Sequence, residues 1–371
     1  MKAEICRPNE LGVAELELWH GYQRANPRFA SPFLTPEFAL AVDLARSDAR
    51  LIVVSDGPQV VGFLPYTSSP SGIGQTIAPG MCDAQALIHI ETDPVGLQNV
   101  ITAAGLIGWR FDHLVGSQAP SGQPWIGCDS WIADLRPGLS SYLEWLRLER
   151  GRNLSEWQRK LRRLRRTHES VQYLFDVPDI DRWQTLIRLK RQQYEKNGWQ
   201  DVFAKKWVVA LLETLESTRT PDLTGTLSSL IADGRVVSIE FGLRSRDAYS
   251  VWFSTYEPEY AADSPGALLT YQIIESCGQQ GIGYVDFGKG LNEQKRRFSN
   301  GSEALAEGFV GGQGPMGRAA SRLFGQALAV RRRAPRTEAK ARAAVQAVRR
   351  RRHGRGMSRH SEVPALHERG S

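Results

Sequence analysis

The sequence predicts an α/β (α+β) protein made of two similar halves. Each is a mixed, mostly antiparallel sheet flanked by helices, and a basic tail follows the second. Three observations predict it. A pair of β-rich runs around an Asp-Gly turn occurs twice, at Asp56-Gly57 and at Asp233-Gly234. Each pair is followed by the same order of strand, helix and strand, which points to duplication. The 371 residues are 41% hydrophobic and include 10 Trp, 10 Tyr and 13 Phe. That is enough apolar material for a large core, and it excludes disorder as the main state.

In the first half, Leu51-Ile52-Val53-Val54-Ser55 enters the turn and Val60-Val61-Gly62-Phe63-Leu64-Pro65-Tyr66 leaves it. A strand over 85–90, a helix over 94–108 and a strand over 111–115 follow. The run 94–109 is uncharged but carries Gln98, Asn99 and Thr102. It falls short of the ~20 apolar residues a membrane span needs, so a buried helix is expected. In the second half, Ser228-Ser229-Leu230-Ile231-Ala232 and the run 236–243 flank the turn. A strand over 248–256, a helix over 266–277 and a strand over 284–287 complete the repeat. Three helices are expected between the halves, over 140–166, 181–196 and 205–215. Trp183, Leu186, Ile187 and Tyr194 line one face of the second, and Trp207, Val208, Leu211, Leu212 and Leu215 recur at helical spacing in the third. These stripes read as core. The organisation is therefore 1–138, first half; 139–220, connecting helices; 221–315, second half; 316–371, basic tail.

The net charge is +7, but residues 316–371 hold 15 Lys or Arg against Glu338, Glu362 and Glu368, which leaves −5 for residues 1–315. The high pI belongs to the tail. Cys6, Cys82, Cys128 and Cys277 are scattered without CxxC spacing, which speaks against a disulfide framework or zinc ribbon. The first residues show no apolar leader. A reduced, cytoplasmic protein is expected.

Chemistry concentrates between Trp252 and Phe298. The strand over 249–256 alternates so that Ser250, Trp252, Ser254 and Tyr256 share a face, where Trp252 and Tyr256 serve as a wall for a sugar or as ordinary core. Pro265-Gly266 opens a helix whose first N–H groups have no internal partner, an arrangement that suits a pyrophosphate and equally a plain strand-to-helix connection. Asp286 ends its strand just before Gly288 and Gly290, a place where functional side chains are common. Lys295 follows closely enough to fold back on Asp286, either orienting an acceptor or pinning the loop. Glu240 alternates with Ile239 and Phe241, so it projects into a cleft or faces solvent.

Tyr256, Ser264-Pro265-Gly266, Asp286-Phe287-Gly288-Lys289-Gly290 and Lys295-Arg296-Arg297-Phe298 together resemble the BioF2-like acetyltransferase domain of the GNAT superfamily. This is the CelD/BcsL type, linked to bacterial cellulose and exopolysaccharide synthesis. The resemblance covers about residues 30–312, with its specific motifs in 225–310. Asp286, Gly290, Lys295 and Phe298 match the pattern. Lys289 stands where Arg is usual and Gln294 where Tyr is usual.

The resemblance implies tandem GNAT-like halves, as in the Fem aminoacyltransferases that build peptidoglycan cross-bridges. It implies transfer of an acyl group from acyl-CoA, acetyl-CoA foremost, to an amine or hydroxyl of a polysaccharide precursor such as a sugar nucleotide or lipid-linked sugar. No metal is implied. Ser264, Gly266, Ala267 and Leu268 are the cofactor candidates, and Trp252, Tyr256, Lys289 and Phe298 the acceptor candidates. Asp286, Glu240 and Lys295 are the catalytic candidates. A splayed strand would polarise the thioester carbonyl while a base takes the acceptor proton. Two alternatives stand beside this: a Fem-like aminoacyltransferase using charged tRNA, and an inactive adaptor that binds polyanions or membrane.

Two segments are strongly basic. Residues 147–166 carry nine Lys or Arg around a stripe of Leu154, Trp157, Leu161 and Leu164. Such a helix holds phosphates, lies on an anionic surface, or joins the halves with a solvated face. The tail carries Arg331-Arg332-Arg333 and Arg349 to Arg352. It lacks a nucleic-acid-binding signature, so nucleic acid is not the expected partner. Attraction to an anionic membrane would place the protein peripherally on the inner face.

Overall fold

The computed structural model describes residues 1–90 and 96–333. The chain starts with β1 (Lys2–Cys6), α1 (Val13–Ala25) and α2 (Pro36–Ala45). The first hairpin is β2 (Ala49–Asp56) and β3 (Gln59–Thr67), followed by β4 (Ile73–Thr76), β5 (Ile88–His89), α3 (Leu97–Ala103), β6 (Gly108–Val115) and β7 (Trp125–Asp134). A long helix, α4 (Leu139–Thr167), kinks at Arg150, where φ is −133°. The series then repeats as β8 (Val171–Leu174), α5 (Ile180–Asn197), α6 (Lys206–Ser217), the hairpin β9 (Thr224–Ala232) and β10 (Arg235–Arg244), β11 (Ala248–Tyr256), α7 (Pro265–Gln279) and β12 (Tyr284–Lys289). A short α8 (Glu293–Phe298), β13 (Gly301–Gly311) and α9 (Pro315–Arg333) follow.

The thirteen strands of the described residues join one sheet, in the order β1-β2-β3-β4-β6-β13-β7-β12-β11-β10-β9-β8, with β5 pairing on β3. The order is symmetric about the β13–β7 pair. The two Asp-Gly hairpins occupy equivalent places, and the two parallel pairs, β4 with β6 and β11 with β12, are also counterparts. At the centre the halves exchange strands. The last strand of the first half, β7, pairs with β12, and the last strand of the second half, β13, pairs with β6.

Two expected elements are shorter than their sequence patterns. The strand over 85–90 is reduced to β5 and a bridge from Gln85 to Leu114. The helix over 94–108 ends at Ala103, because Gly105 takes φ +70° and turns the chain into β6.

Helices cover both faces. α1, α2, α5 and α6 share a core with Ile239, Phe241 and Leu243 of β10, built around Trp19, Phe38, Leu186 and Leu211. On the opposite face, α4 and α7 pack Leu146, Trp157, Leu269 and Ile273 against Tyr249 and Val285. Val100 and Ile101 of α3 do the same over Trp109 and Phe111 in the first half. No helix among the described residues is long and apolar enough to cross a membrane.

Candidate active site

β11 and β12 run parallel only from Ala248 to Ser250 against Tyr284 to Asp286. Beyond that point β12 breaks register with β7, and Gly288 and Gly290 adopt φ +79° and +82°, angles that glycine takes without strain. Asp286 therefore stands where the two strands part. It alternates with Val285 and Phe287, both in the core under α7, so its side chain turns to the other face.

There Ser130 of β7 donates to Asp286 Oδ1 at 2.5 Å, and the Gly288 N–H donates to the same oxygen at 2.7 Å. Ser250, its register partner on β11, has a buried hydroxyl with no hydrogen-bond partner among the described residues. Burial pushes the Asp286 carboxyl up to about 6, against the pull of these two hydrogen bonds and of Lys295. Lys295 donates its Nζ to the carbonyls of Gly288 and Lys289, each at 2.9 Å. It thus holds the glycine loop and reaches Asp286 only through its charge. Burial lowers the Lys295 pKa, and Asp286 and Asp83 oppose that.

The first half supplies a group of residues that the sequence reading did not single out. Asp83 Oδ2 lies 4.0 Å from the position a Cβ on Gly288 would take. His113 Nε2 is 3.8 Å from Asp83 Oδ1, and His113 Nδ1 is 3.0 Å from Asp112 Oδ1. Gln85 fixes this pair by donating to Asp112 Oδ1 at 2.6 Å while its own Oε1 accepts from the N–H groups of Asp112 and His113. Burial raises Asp83. Burial also works on Asp112, but the hydrogen bonds from His113 and Gln85 outweigh it and hold that carboxyl low. The only sequence signal was an acid-histidine pair inside the strand expected over 111–115. Lys289 donates to the Asp112 carbonyl at 2.9 Å and pairs with Glu307 at 3.0 Å, so it ties β12 to β6 and β13.

The start of α7 lies beside the basic face of α4. Ser264 sits in the left-handed region at φ +52°, and its hydroxyl accepts from Lys160 at 2.6 Å. Arg163 pairs with Asp263 at 2.5 Å, which neutralises the one acid at this helix start. The N–H groups of Ala267 and Leu268 turn back to the Ser264 carbonyl. What this end offers an anion is therefore the Gly266 N–H, the helix dipole and two α4 cations that already pair with Glu156 and Asp263 and would have to turn from them. A Cβ on Gly266 would lie 3.9 Å from Gln294 Nε2 and 4.0 Å from the Tyr256 ring, so these three residues floor one crevice. Ala267 and Leu268 are buried in the core.

Three sequence-based assignments change in position. Trp252 is the extra residue of a β-bulge, where Phe241 faces Phe253 but Gly242 faces Val251. The bulge breaks the alternation. Trp252 packs edge-on to Phe33 at 5.3 Å beside Phe38 and Phe241, while Tyr256 reaches the other face at α7. They do not form one wall. Phe298 is fully buried and stacks on Trp157 at 4.4 Å, so it is core and not an acceptor contact. Glu240 neither enters the cleft nor meets solvent. It is buried beneath α7, with Oε1 accepting from Tyr249 at 3.1 Å and Oε2 without a partner among the described residues, because α7 covers that face of β10. Burial pushes its carboxyl up to about 8.

A strand pair parting beside a helix start, within a mixed α/β sheet flanked by helices, defines the class of fold. Residues 151–296 match the acetyltransferase (GNAT) domain family, and this span contains Glu240, Asp286, Lys295 and the whole of α7. No curated protein matches the chain. Among solved structures, the chain is similar to FemX, with a TM-score of 0.51 and 11% identity over 83% of this chain and 96% of the other. It is also similar to the C-terminal domain of a protein from Agrobacterium fabrum named as a lysylphosphatidylglycerol synthetase, with a TM-score of 0.50 and 12% identity over 85% and 96%. At these identities the likeness is one of fold.

Proposed function

We propose that the protein transfers an acyl group from acyl-CoA, acetyl-CoA foremost, to an amine or hydroxyl on a polysaccharide precursor such as a sugar nucleotide or lipid-linked sugar. The observation that carries this reading is the parting of β11 from β12 at Ser250 and Asp286, inside the span that matches the acetyltransferase domain. The diphosphate of the donor meets Lys160, Arg163 and the start of α7. Its thioester reaches through the gap between the strands, where β11 has lost its partner and its backbone N–H groups polarise the carbonyl. Asp286, ionised above pH 6, takes the proton of the acceptor as its nitrogen or oxygen bonds to the acyl carbon. The tetrahedral adduct then expels the CoA thiolate, which picks up that proton. The protein works in the cytoplasm, and its basic tail, which lies largely outside the described residues, holds it against the anionic inner face of the membrane.

A second donor class is aminoacyl-tRNA, for which the same tail offers cations. Calorimetry with acetyl-CoA and longer acyl-CoAs decides between them. Stoichiometric binding of one acyl-CoA is expected. No binding to any of them, with transfer seen only from charged tRNA, replaces this reading with the second. Binding of neither leaves an adaptor that keeps the fold alone.

A further inference from the structure

Far in sequence from that cleft, His20 of α1, Glu37 of α2 and Asp222, just before β9, converge on one spot. His20 Nε2 is 3.2 Å from Glu37 Oε1, and its Nδ1 is 3.7 Å from Asp222 Oδ2. The three side chains are only 14–18% exposed. Two of their polar atoms, His20 Nδ1 and Glu37 Oε2, are fully buried and have no hydrogen-bond partner among the described residues. Orphaned buried donors and acceptors are costly and rare, so these two, one on the Asp222 side of the ring and one on Glu37, lack partners that an occupant would supply.

The surrounding groups support the arrangement without filling it. Thr220 donates to Glu37 Oε1 at 3.4 Å. Arg246 grips Asp222 from outside, with Nε to Oδ1 at 2.5 Å, and Arg24 adds a more distant positive charge. An arginine on the far side of a carboxylate is the kind of outer partner that orients a metal ligand.

One imidazole nitrogen and one oxygen from each carboxylate lie within 4.8 Å of one another. Around a tetrahedral zinc such atoms stand about 3.3 Å apart, so the side chains need only draw inward. A neutral imidazole with two carboxylates suits zinc or manganese better than magnesium or calcium, which take oxygen donors alone. We propose that His20, Glu37 and Asp222 form a divalent transition-metal site. The ion clamps α1 and α2 of the first half to the loop that leads into β9 of the second. Binding releases the proton of any imidazolium present.

The test uses the full chain stripped with EDTA and titrated with ZnCl2 or MnCl2 in a calorimeter. One equivalent is expected to bind, with a rise in melting temperature. His20→Gln and Glu37→Gln are expected to weaken binding at least about tenfold and to abolish the thermal shift. Cobalt substitution gives a readout that needs no variant. Visible d–d bands without a near-ultraviolet thiolate band support the assigned ligands. A thiolate band, no uptake of one equivalent, or wild-type affinity in both variants overturns the proposal, and His20 then only bridges the two carboxylates as a packing contact. None of these readouts depends on acyl transfer.

Discussion

Asp286 changes charge near pH 6, inside the working range of most enzymes. As the proton acceptor it predicts a turnover that rises with pH through about 6 and is flat above. Asp286→Asn is expected to lower kcat by about 10²-fold or more and to abolish that rise, with little change in Tm. Wild-type turnover in a folded variant would remove Asp286 from the chemistry. Glu240 predicts a different signature. Its pKa climbs from an ordinary 4.5 to about 8 on folding, so the native state binds the proton that the unfolded chain has already released. Stability therefore falls as pH rises from about 4.5 to about 8. Glu240→Gln should remove that slope, leaving the variant equal near pH 4 and more stable at pH 8.5 by up to about 5 kcal/mol. Chemical denaturation at the two pH values checks this, and parallel curves would refute it. Asp286 was legible in the sequence because two glycines follow its strand. Glu240 was not, since only the packing of α7 decides what covers its face of β10. His113 was hidden as well, because Asp83 and Gln85, which frame it, reach it from a separate segment.

At the level of elements, the repeated hairpins and the amphipathic helices were readable because periodicity reports which side is buried. Trp252 shows where that logic stops. One inserted residue reverses the alternation, and no local pattern in 248–256 announces it. The basic run of α4 left three uses open, and the structure narrows them by placing Lys160 and Arg163 against Ser264 and Asp263. If these cations hold the donor phosphates, Lys160→Ala and Arg163→Ala should each raise the KM for acyl-CoA about tenfold, the loss of roughly one charge-assisted contact of 1.4 kcal/mol, while kcat stays nearly constant. Added salt should mimic the substitutions. Unchanged KM values in both variants would return α4 to the role of a solvated connector.

On the scale of the molecule, the duplication was visible in the sequence and the strand exchange was not. Exchange needs only that β7 and β13 trade places, and both arrangements present the same hydrophobic pattern. The exchanged form makes each half depend on the other. Residues 1–138 alone leave β6 without β13, exposing a sheet edge at what should be the centre of a continuous sheet. That fragment is expected to aggregate or self-associate when made alone and to become soluble when co-expressed with residues 139–333. Size-exclusion chromatography of the single and paired fragments checks this, and a soluble monomer of 1–138 with a cooperative melt would contradict it.

The same exchange sets a clock during synthesis. β6 ends at Val115 and its neighbour β13 begins at Gly301, so at the ~5–20 residues per second of a ribosome the earlier strand waits ~10–40 s for the later one. For that interval the nascent first half carries an empty slot between β6 and whatever lies nearby, and anything that shields strand edges on the ribosome governs how much of the chain survives to close it.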